Sequence, residues 1–311
     1  MSNDIGQTAR ELVSKIFGVQ PTSVDQIRRG VMTHKFAVQM PNGHCYVVRF
    51  YPHGREHVVE YEPDLLRRSR AAGVGTPDVI ADSRTGPRAE MHYVVYRLIH
   101  GTPLAERLDF LSGECLQQIS GDLVARVSHL GRLPVTGYGE LVKADRAQFE
   151  SFDHFWIHSF SEGLEAAERS KIWSRETLGR LQSISLHRGI TDEKVPSLAW
   201  GDLSTENILI DSNDRVSGLV DFEGVIAAEE LLNLGYAYAR YHGTALFQSL
   251  VAAWPHPLKQ SHWRAIYHFC LLRAVRLARF STEPLPTGYP RVPIEDLLPG
   301  IAPAIRALAT E

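Results

Sequence analysis

The stretch from Leu198 to Gly224 constrains the chain most. Two short apolar runs, Asn207 to Ile210 and Gly218 to Val220, flank a polar turn at Ser212-Asn213-Asp214, which is the pattern of a β-hairpin. Asp202 stands just ahead of the first strand, Asn207 opens it, and Asp221 closes the second. Folding the hairpin lays its two ends side by side. Asp202, Asn207 and Asp221 therefore converge, although the last two are fourteen residues apart.

Two carboxylates and an amide are hard oxygen donors, suited to Mg²⁺ held together with substrate phosphates. A carboxylate free of the metal can orient a hydroxyl and take its proton. Phosphoryl transfer in protein kinases uses such a set: a catalytic-loop Asp, an Asn five residues later, and an Asp after the next strand. Asp202 and Asn207 have that spacing. A surface hairpin with ordinary turn acids would match three residue types and two spacings only by coincidence.

Gly201-Asp-Leu-x-x-x-Asn-Ile-Leu followed by Val220-Asp-Phe-Glu resembles the aminoglycoside phosphotransferase family, whose members include antibiotic, choline and other small-molecule kinases. The resemblance implies an α+β, protein-kinase-like fold of two lobes. Residues 1–99 would form an N-terminal nucleotide-binding lobe, an antiparallel sheet plus a helix. Residues 100–311 would form a mostly helical catalytic and substrate-binding lobe. It implies Asp202 as the catalytic base, Asn207 and Asp221 as metal ligands, and Mg²⁺ with ATP or GTP as cofactor. The family motif has His before the Gly-Asp and again two residues after the Asp; Trp200 and Ser204 stand there. Trp200 is expected to fill space beneath the loop, and Ser204 removes a cationic contact to the γ-phosphate.

Composition sets the other bounds. A net charge of −3 gives no reason to expect nucleic-acid or membrane-surface binding. Cys45, Cys115 and Cys270 are far apart and lack metal-ligand spacing, so a reducing, cytoplasmic setting fits. The first residues carry no signal-peptide pattern, and no apolar run reaches the length of a membrane span. Oligomeric state is left open.

Along the chain, Thr8 to Phe17 has the spacing of an amphipathic helix. Val24 to Arg29, Phe36 to Met40 and Cys45 to Phe50 read as strands, the last two joined at Asn42-Gly43. Gly30 to Lys35 lies where the family keeps its nucleotide loop, with Gly30 and Thr33 as the candidate contacts and His34 the alternative to Thr33 near the family's Asn position. Arg49 ends a strand where the fold needs a cation for the α- and β-phosphates and for a helix glutamate. That helix is expected over Arg55 to Ala72. Glu62 shares its face with Leu65, Leu66 and Ser69 and is the preferred partner, whereas Glu60 shares a face with Asp64 and Arg67. Pro63 is the complication: a helix beginning there would leave Glu62 at its N-terminus. Val79 to Ala81 and His92 to Ile99 complete the lobe, and Tyr96 and Leu98 mark the hinge where backbone groups would meet an adenine edge.

From Leu104 the pattern turns helical, with helices expected at Leu116 to Leu130, Phe149 to Ala167, Trp173 to Leu186, Glu229 to Arg240, Leu246 to Trp254, His262 to Phe280 and Ile294 to Thr310. Ser281 to Pro293 reads as a Pro-rich loop. Phe149 to Ala167 is rich in aromatics and reads as core or as a substrate-facing lid, with Trp156 as a candidate contact. Acids within reach of a substrate are Asp153, Glu162, Glu223, Glu229 and Glu230; they form no dense cluster that would demand a polycation. The chain thus reads as a kinase moving the γ-phosphoryl group of ATP or GTP to a hydroxyl of a small molecule, by resemblance an antibiotic. A metabolic kinase for choline, an amino alcohol or a sugar, or an inactive kinase-like binding module, stays open. No nucleic-acid or membrane partner is expected.

Overall fold

The computed structural model describes residues 2–28, 30, 32–186, 195–279 and 298–309. The chain opens with α1 (Ser2–Phe17), then β1 (Ser23–Ile27), β2 (His34–Gln39) and β3 (Cys45–Tyr51). With β4 (Val79–Asp82) and β5 (His92–Arg97) they form a five-stranded antiparallel sheet in the order β1-β2-β3-β5-β4. Strand alternation gives the sheet two faces. Val48, Phe50, Val95 and Tyr93 pack against Ala9, Leu12 and Val13 of α1. Val47, Tyr51, Val94 and Tyr96 face the other way, into the core shared with the rest of the protein. Arg49 is on that second face.

The helix expected over Arg55 to Ala72 is split. A 3₁₀ turn covers Glu56–Glu60, and α2 runs Glu62–Ala71 with Pro63 in its first turn. Proline has no N–H and its ring clashes with a preceding helical turn, but it is tolerated at a helix start. Pro63 therefore fixes where α2 begins and leaves Glu62 as its first residue.

Beyond β5 come the short β6 (Thr102–Pro103) and α3 (Leu104–Arg107), then α4 (Gly113–Gly131), whose first turn is capped by the Ser112 hydroxyl accepting from the Cys115 N–H. A hairpin follows, β7 (Tyr138–Lys143) and β8 (Arg146–Phe149), and then α5 (Phe152–Ser170), capped in the same way by Ser151, and α6 (Arg175–Leu186). The remaining elements are β9 (Ser197–Trp200), β10 (Ile208–Ile210), β11 (Val216–Leu219), β12 (Val225–Ala228), α7 (Leu232–Tyr241), α8 (Ala245–Ala253), α9 (Gln260–Arg279) and α10 (Ile301–Ala309). The Pro-rich loop expected at Ser281 to Pro293 lies outside the described residues, as do 294–297 and 310 of the last expected helix.

Two further sheets sit in the helical part. β11-β10-β6 carries the expected hairpin, and β8-β7-β12-β9 is a four-stranded antiparallel sheet that the sequence reading did not anticipate. Helix α9 packs on α5, α7 and α10. Gly235 lets α7 approach it closely, because a Cβ there would lie 2.3 Å from that of Phe269. The architecture is the expected one: a mixed α+β, kinase-like fold whose C-terminal part is mostly helical.

Candidate active site

The hairpin closes as its pattern implies. Ile208 pairs with Leu219, Leu209 with Gly218, and the Val220 N–H donates to the Asn207 carbonyl at 3.0 Å. On the far side, β12 runs back beside β9, pairing Val225 with Trp200. Gly201 and Gly224 are thereby pressed together: a Cβ on Gly201 would lie 2.2 Å from the Gly224 carbonyl oxygen. This close approach, available only to glycine, seats Asp202 next to the end of β11. The Asn207 amide Nδ2 donates to Asp202 Oδ2 at 2.9 Å, leaving its Oδ1 as an acceptor. Asp221 takes a left-handed backbone, φ 67° and ψ 64°, a conformation Asp tolerates better than most residues.

Asp221 is the centre of a charge cluster. Arg49 Nη2 donates to its Oδ1 at 2.6 Å and Lys35 Nζ to its Oδ2 at 3.1 Å. Burial alone would raise the Asp221 pKa, but Lys35 and Arg49 overcome it and hold the carboxyl well below the usual range. Arg49 also pairs with Glu62, Nη1 to Oε1 at 2.7 Å, with both side chains 1% exposed. Its Nε donates to Thr33 Oγ1 at 3.0 Å, and Glu223 lies 3.0 Å from Nη2. The Tyr51 hydroxyl donates to the second oxygen of Glu62. Burial would lower the Arg49 pKa, yet Glu223, Glu62 and Asp221 together hold it well above its ordinary value, so the guanidinium stays charged. Glu60 is instead exposed and pairs with Lys143 at 3.1 Å.

Several candidates take places other than those expected. Thr33 is buried under Arg49 and acts on the arginine. Glu223, expected on the substrate side, joins the Arg49 cluster and also holds Arg55 at 2.7 Å. Glu229 and Glu230 leave β12 at the end opposite Asp202, since Ala228 pairs with Ser197; Glu230 accepts from Ser128 on α4 at 3.4 Å. Trp156 is core and does not line the cleft: it is 4% exposed, lies 4.4 Å from the Phe160 ring, and donates to the Ser185 carbonyl. Asp153 is exposed in the first turn of α5, and Glu162 pairs with Arg279 at 3.0 Å. Tyr96 is buried near Arg49 and Glu62, and the Leu98 N–H donates to the Cys45 carbonyl at 2.9 Å, so only its carbonyl is left for a base edge. Gly30, at φ 81°, lies beside Lys35 Nζ and over Asp221; its neighbours Arg29 and Val31 are outside the described residues.

Three cations escaped the sequence reading: Lys35, Arg55 and Arg273. Lys35 had a signal. Counting back from the Asn42-Gly43 turn pairs it with Arg49 across β2 and β3, and like charges directly opposite each other need an anion between them. Arg273 on α9 donates to Asp202 Oδ1 at 3.1 Å, and no local pattern announces it. Trp200 does more than fill space: its indole N–H points at the Asp221 carbonyl, 3.5 Å away, and its ring stacks on Phe222. The Ser204 hydroxyl turns into its own loop, 3.4 Å from the Glu206 N–H.

The donor set fits a divalent cation of the Mg²⁺ type. Asp221 draws two cationic groups, and Asn207, donating to Asp202 through its amide nitrogen, keeps its amide oxygen as an acceptor. Among the described residues no group of three or more His, Cys, Asp or Glu gathers as a metal site. No helix among the described residues is long and apolar enough to cross a membrane.

Residues 23–264, more than half of the chain, match the phosphotransferase enzyme family. No curated protein matches. Among solved structures, a thermostable mutant of aminoglycoside phosphotransferase APH(4)-Ia in ternary complex with AMP-PNP and hygromycin B is similar at 14% identity and TM-score 0.71, over 98% of this chain and 100% of that one. The GDP complex of wild-type aminoglycoside 2'-phosphotransferase-IIIa is similar at 17% identity and TM-score 0.67, over 98% and 97%. A structure described as a fructosamine-3-kinase from Thermobifida fusca is similar at 14% identity and TM-score 0.65, over 97% and 98%. At these identities the likeness is one of fold.

Proposed function

The chain belongs to the phosphotransferase enzyme family, and from that premise we propose that it moves the γ-phosphoryl group of ATP or GTP to a hydroxyl of a small molecule. The observation that carries this reading is the convergence of Asp202, Asn207 and Asp221 beside the buried Arg49–Glu62 pair. The nucleotide lobe would be residues 1–99 and the acceptor lobe 100–311, with the protein working in the cytoplasm.

In this scheme Asp202, steadied by Asn207 and Arg273, receives the acceptor hydroxyl and takes its proton. Arg49 and Lys35 approach the phosphates from the sheet side, and Glu62 fixes the direction of Arg49. Mg²⁺, when bound, neutralises phosphate charge, and Asp221 with the Asn207 amide oxygen would hold it. Such a site works by positioning and electrostatics, with little covalent chemistry of its own.

An antibiotic acceptor, hence a resistance kinase, is one reading, supported by the two antibiotic kinases among the neighbours. A metabolic acceptor is the other. It is favoured by the fructosamine-3-kinase neighbour and by the cation, Arg273, that stands at the proposed base. Transfer of labelled γ-phosphate from ATP and from GTP, with and without Mg²⁺, to panels of antibiotics and small alcohols tests the proposal. Tight nucleotide binding without transfer to any acceptor would favour the inactive binding module.

A further inference from the structure

The surroundings of Asp202 on the side away from the nucleotide cluster are basic. One carboxylate oxygen takes the Asn207 amide; the other takes Arg273 Nη2 at 3.1 Å. Arg273 is 17% exposed and lies over the ring of Tyr236, 5.1 Å from its centroid. A guanidinium offers five N–H donors in a rigid fork. The bond to Asp202 is the one hydrogen bond the Arg273 side chain makes among the described residues.

Other cations crowd it. Arg240 sits one turn beyond Tyr236 on α7, and Arg276 one turn beyond Arg273 on α9. Burial, then Arg240 and Arg276, push the Arg273 pKa down, and Asp202 opposes them. Arg276 and Arg279 are compensated by Glu140, at 2.9 and 3.3 Å, and Arg279 also by Glu162 at 3.0 Å. Arg240 makes no ion pair among the described residues. Among the described residues Asp202 is thus the one carboxylate that pairs with Arg273, while Arg240 adds positive charge to the surroundings of Arg273. Two acids that the sequence places near the hairpin are engaged elsewhere: Glu223 is bound to Arg49 and Arg55, and Glu230 is at the far end of β12.

An acceptor hydroxyl that reaches Asp202 must come within a few ångströms of Arg273. A cationic group beside that hydroxyl would meet the guanidinium; an anionic one would complete its fork. We propose that the acceptor carries an anionic group, a carboxylate or a phosphate, next to the hydroxyl that is phosphorylated, and that Arg273 and Arg240 bind it. This rests on the phosphotransferase reading and on Asp202 as the base. It sets polycationic aminoglycosides aside as acceptors.

The test compares ring compounds of one skeleton: D-glucuronate, D-glucose 6-phosphate, D-glucose and D-glucosamine. Binding of each to the protein saturated with Mg²⁺ and AMP-PNP is titrated calorimetrically, and transfer from labelled ATP is measured. One or both anionic members should bind and react at least about tenfold better than glucose, with glucosamine last. Comparing the two anions separates carboxylate from phosphate recognition. Arg240→Gln, checked by its melting temperature, should raise KM for the anionic member about 10- to 100-fold, the range for losing a hydrogen bond to a charged group. The anion-over-neutral preference should collapse with it. A merely structural role would instead lower kcat for all acceptors alike. That outcome, a preference for glucosamine, or no difference among the compounds, including no binding of any, overturns the inference. Transfer to the neutral or amine member as fast as to the anionic ones overturns it while leaving the phosphotransferase reading in place; failure to bind Mg²⁺–nucleotide removes that reading itself.

Discussion

Arg49 and Glu62 form a fully buried ion pair, 2.7 Å apart, on two elements that meet only because α2 starts where it does. The guanidinium then reaches Asp221 with its other terminal nitrogen. One side chain thus ties α2, β3 and the end of the hairpin together. Without Glu62 the guanidinium keeps Asp221 and Glu223 as counter-charges but loses the bond that aims it, a hydrogen bond to a charged group worth about 1.5–3 kcal/mol. Glu62→Gln should therefore lower the melting temperature by several degrees and weaken nucleotide binding. The exchange Arg49→Glu with Glu62→Arg should not restore binding, because the cation would then stand on the helix and not on the strand. Recovery of wild-type nucleotide affinity in the exchanged protein would contradict the role given to Arg49.

Asp202→Asn should remove transfer while leaving nucleotide affinity close to wild type. The carboxylate acts on the acceptor, and it makes no contact with the Arg49–Glu62 pair; its partners are Asn207 and Arg273. A general base contributes about 10²- to 10⁴-fold. Single-turnover transfer measured beside nucleotide titration separates the two effects; transfer within a few-fold of wild type would remove Asp202 from the role of base.

The hairpin and the Arg49–Glu62 pair were legible in sequence because each has a local period. Alternation put Arg49 on the inner face of β3, and helical spacing put Glu62 with Leu65, Leu66 and Ser69, all buried. The helix was expected from Arg55, with Pro63 only a complication; the structure begins α2 at Glu62. The sheet β8-β7-β12-β9 was not legible. β12 reads Val-Ile-Ala-Ala, buried throughout, a four-residue apolar run that periodicity cannot assign. Missing β12 misplaced Glu229 and Glu230, which look close to Asp221 in sequence but are carried away along the strand. Arg273 lies 71 residues from Asp202. Only the packing of α9 against α7 brings it there, and an isolated arginine in a helix leaves no trace of that.

Asp221→Ala should weaken nucleotide binding in Mg²⁺ much more than without it. Asp221 pairs with Lys35 and Arg49, so in nucleotide titrations without Mg²⁺ its loss frees both cations to meet the phosphates directly. With Mg²⁺ the same change removes a ligand, for which a loss of about tenfold or more is expected. Nucleotide titrations over a series of Mg²⁺ concentrations check this, and an unchanged metal dependence would count against Asp221 as a ligand.

Asp82 gives stability a pH dependence. Its side chain is fully buried and accepts from Arg67 at 3.0 Å and from Arg84 at 3.1 Å, fastening α2 to β4. Burial opposes ionisation, but the Arg84 and Arg67 hydrogen bonds outweigh it and hold the carboxyl below its usual range. A depressed folded-state pKa means the contribution is fully present above the unfolded value, about 3.9. It is lost as pH falls through the folded value. Asp82→Asn should therefore lower the melting temperature at pH 7, and the gap from wild type should narrow toward pH 3. A gap that stays constant over that range would show the carboxylate charge to be irrelevant.

Gly201 is where the fold and the proposed chemistry depend on the same atom-scale fit. β9 ends at Trp200 and β12 begins at Val225, paired with each other, so Gly201 and Gly224 must pass at close quarters. A Cβ on Gly201 would sit 2.2 Å from a backbone oxygen, which cannot rotate away as a flexible side chain would. Gly201→Ala must therefore push the two strand ends apart, at a cost of about 1–3 kcal/mol for overpacking. Asp202 is the next residue, and the shift would move its carboxylate relative to Asn207 and Asp221. A displacement near 1 Å at a reacting centre is worth about 10²-fold in rate. The expected result is a protein that still folds, melts lower and binds nucleotide, but transfers phosphate about a hundredfold more slowly. Gly243→Ala is the comparison: it also replaces a glycine, at φ 80°, but with nothing within 4 Å of the added carbon. It should cost stability through backbone strain alone and leave the rate near wild type. Equal rate losses in the two variants would show that the fit at Gly201 has no particular hold on the site.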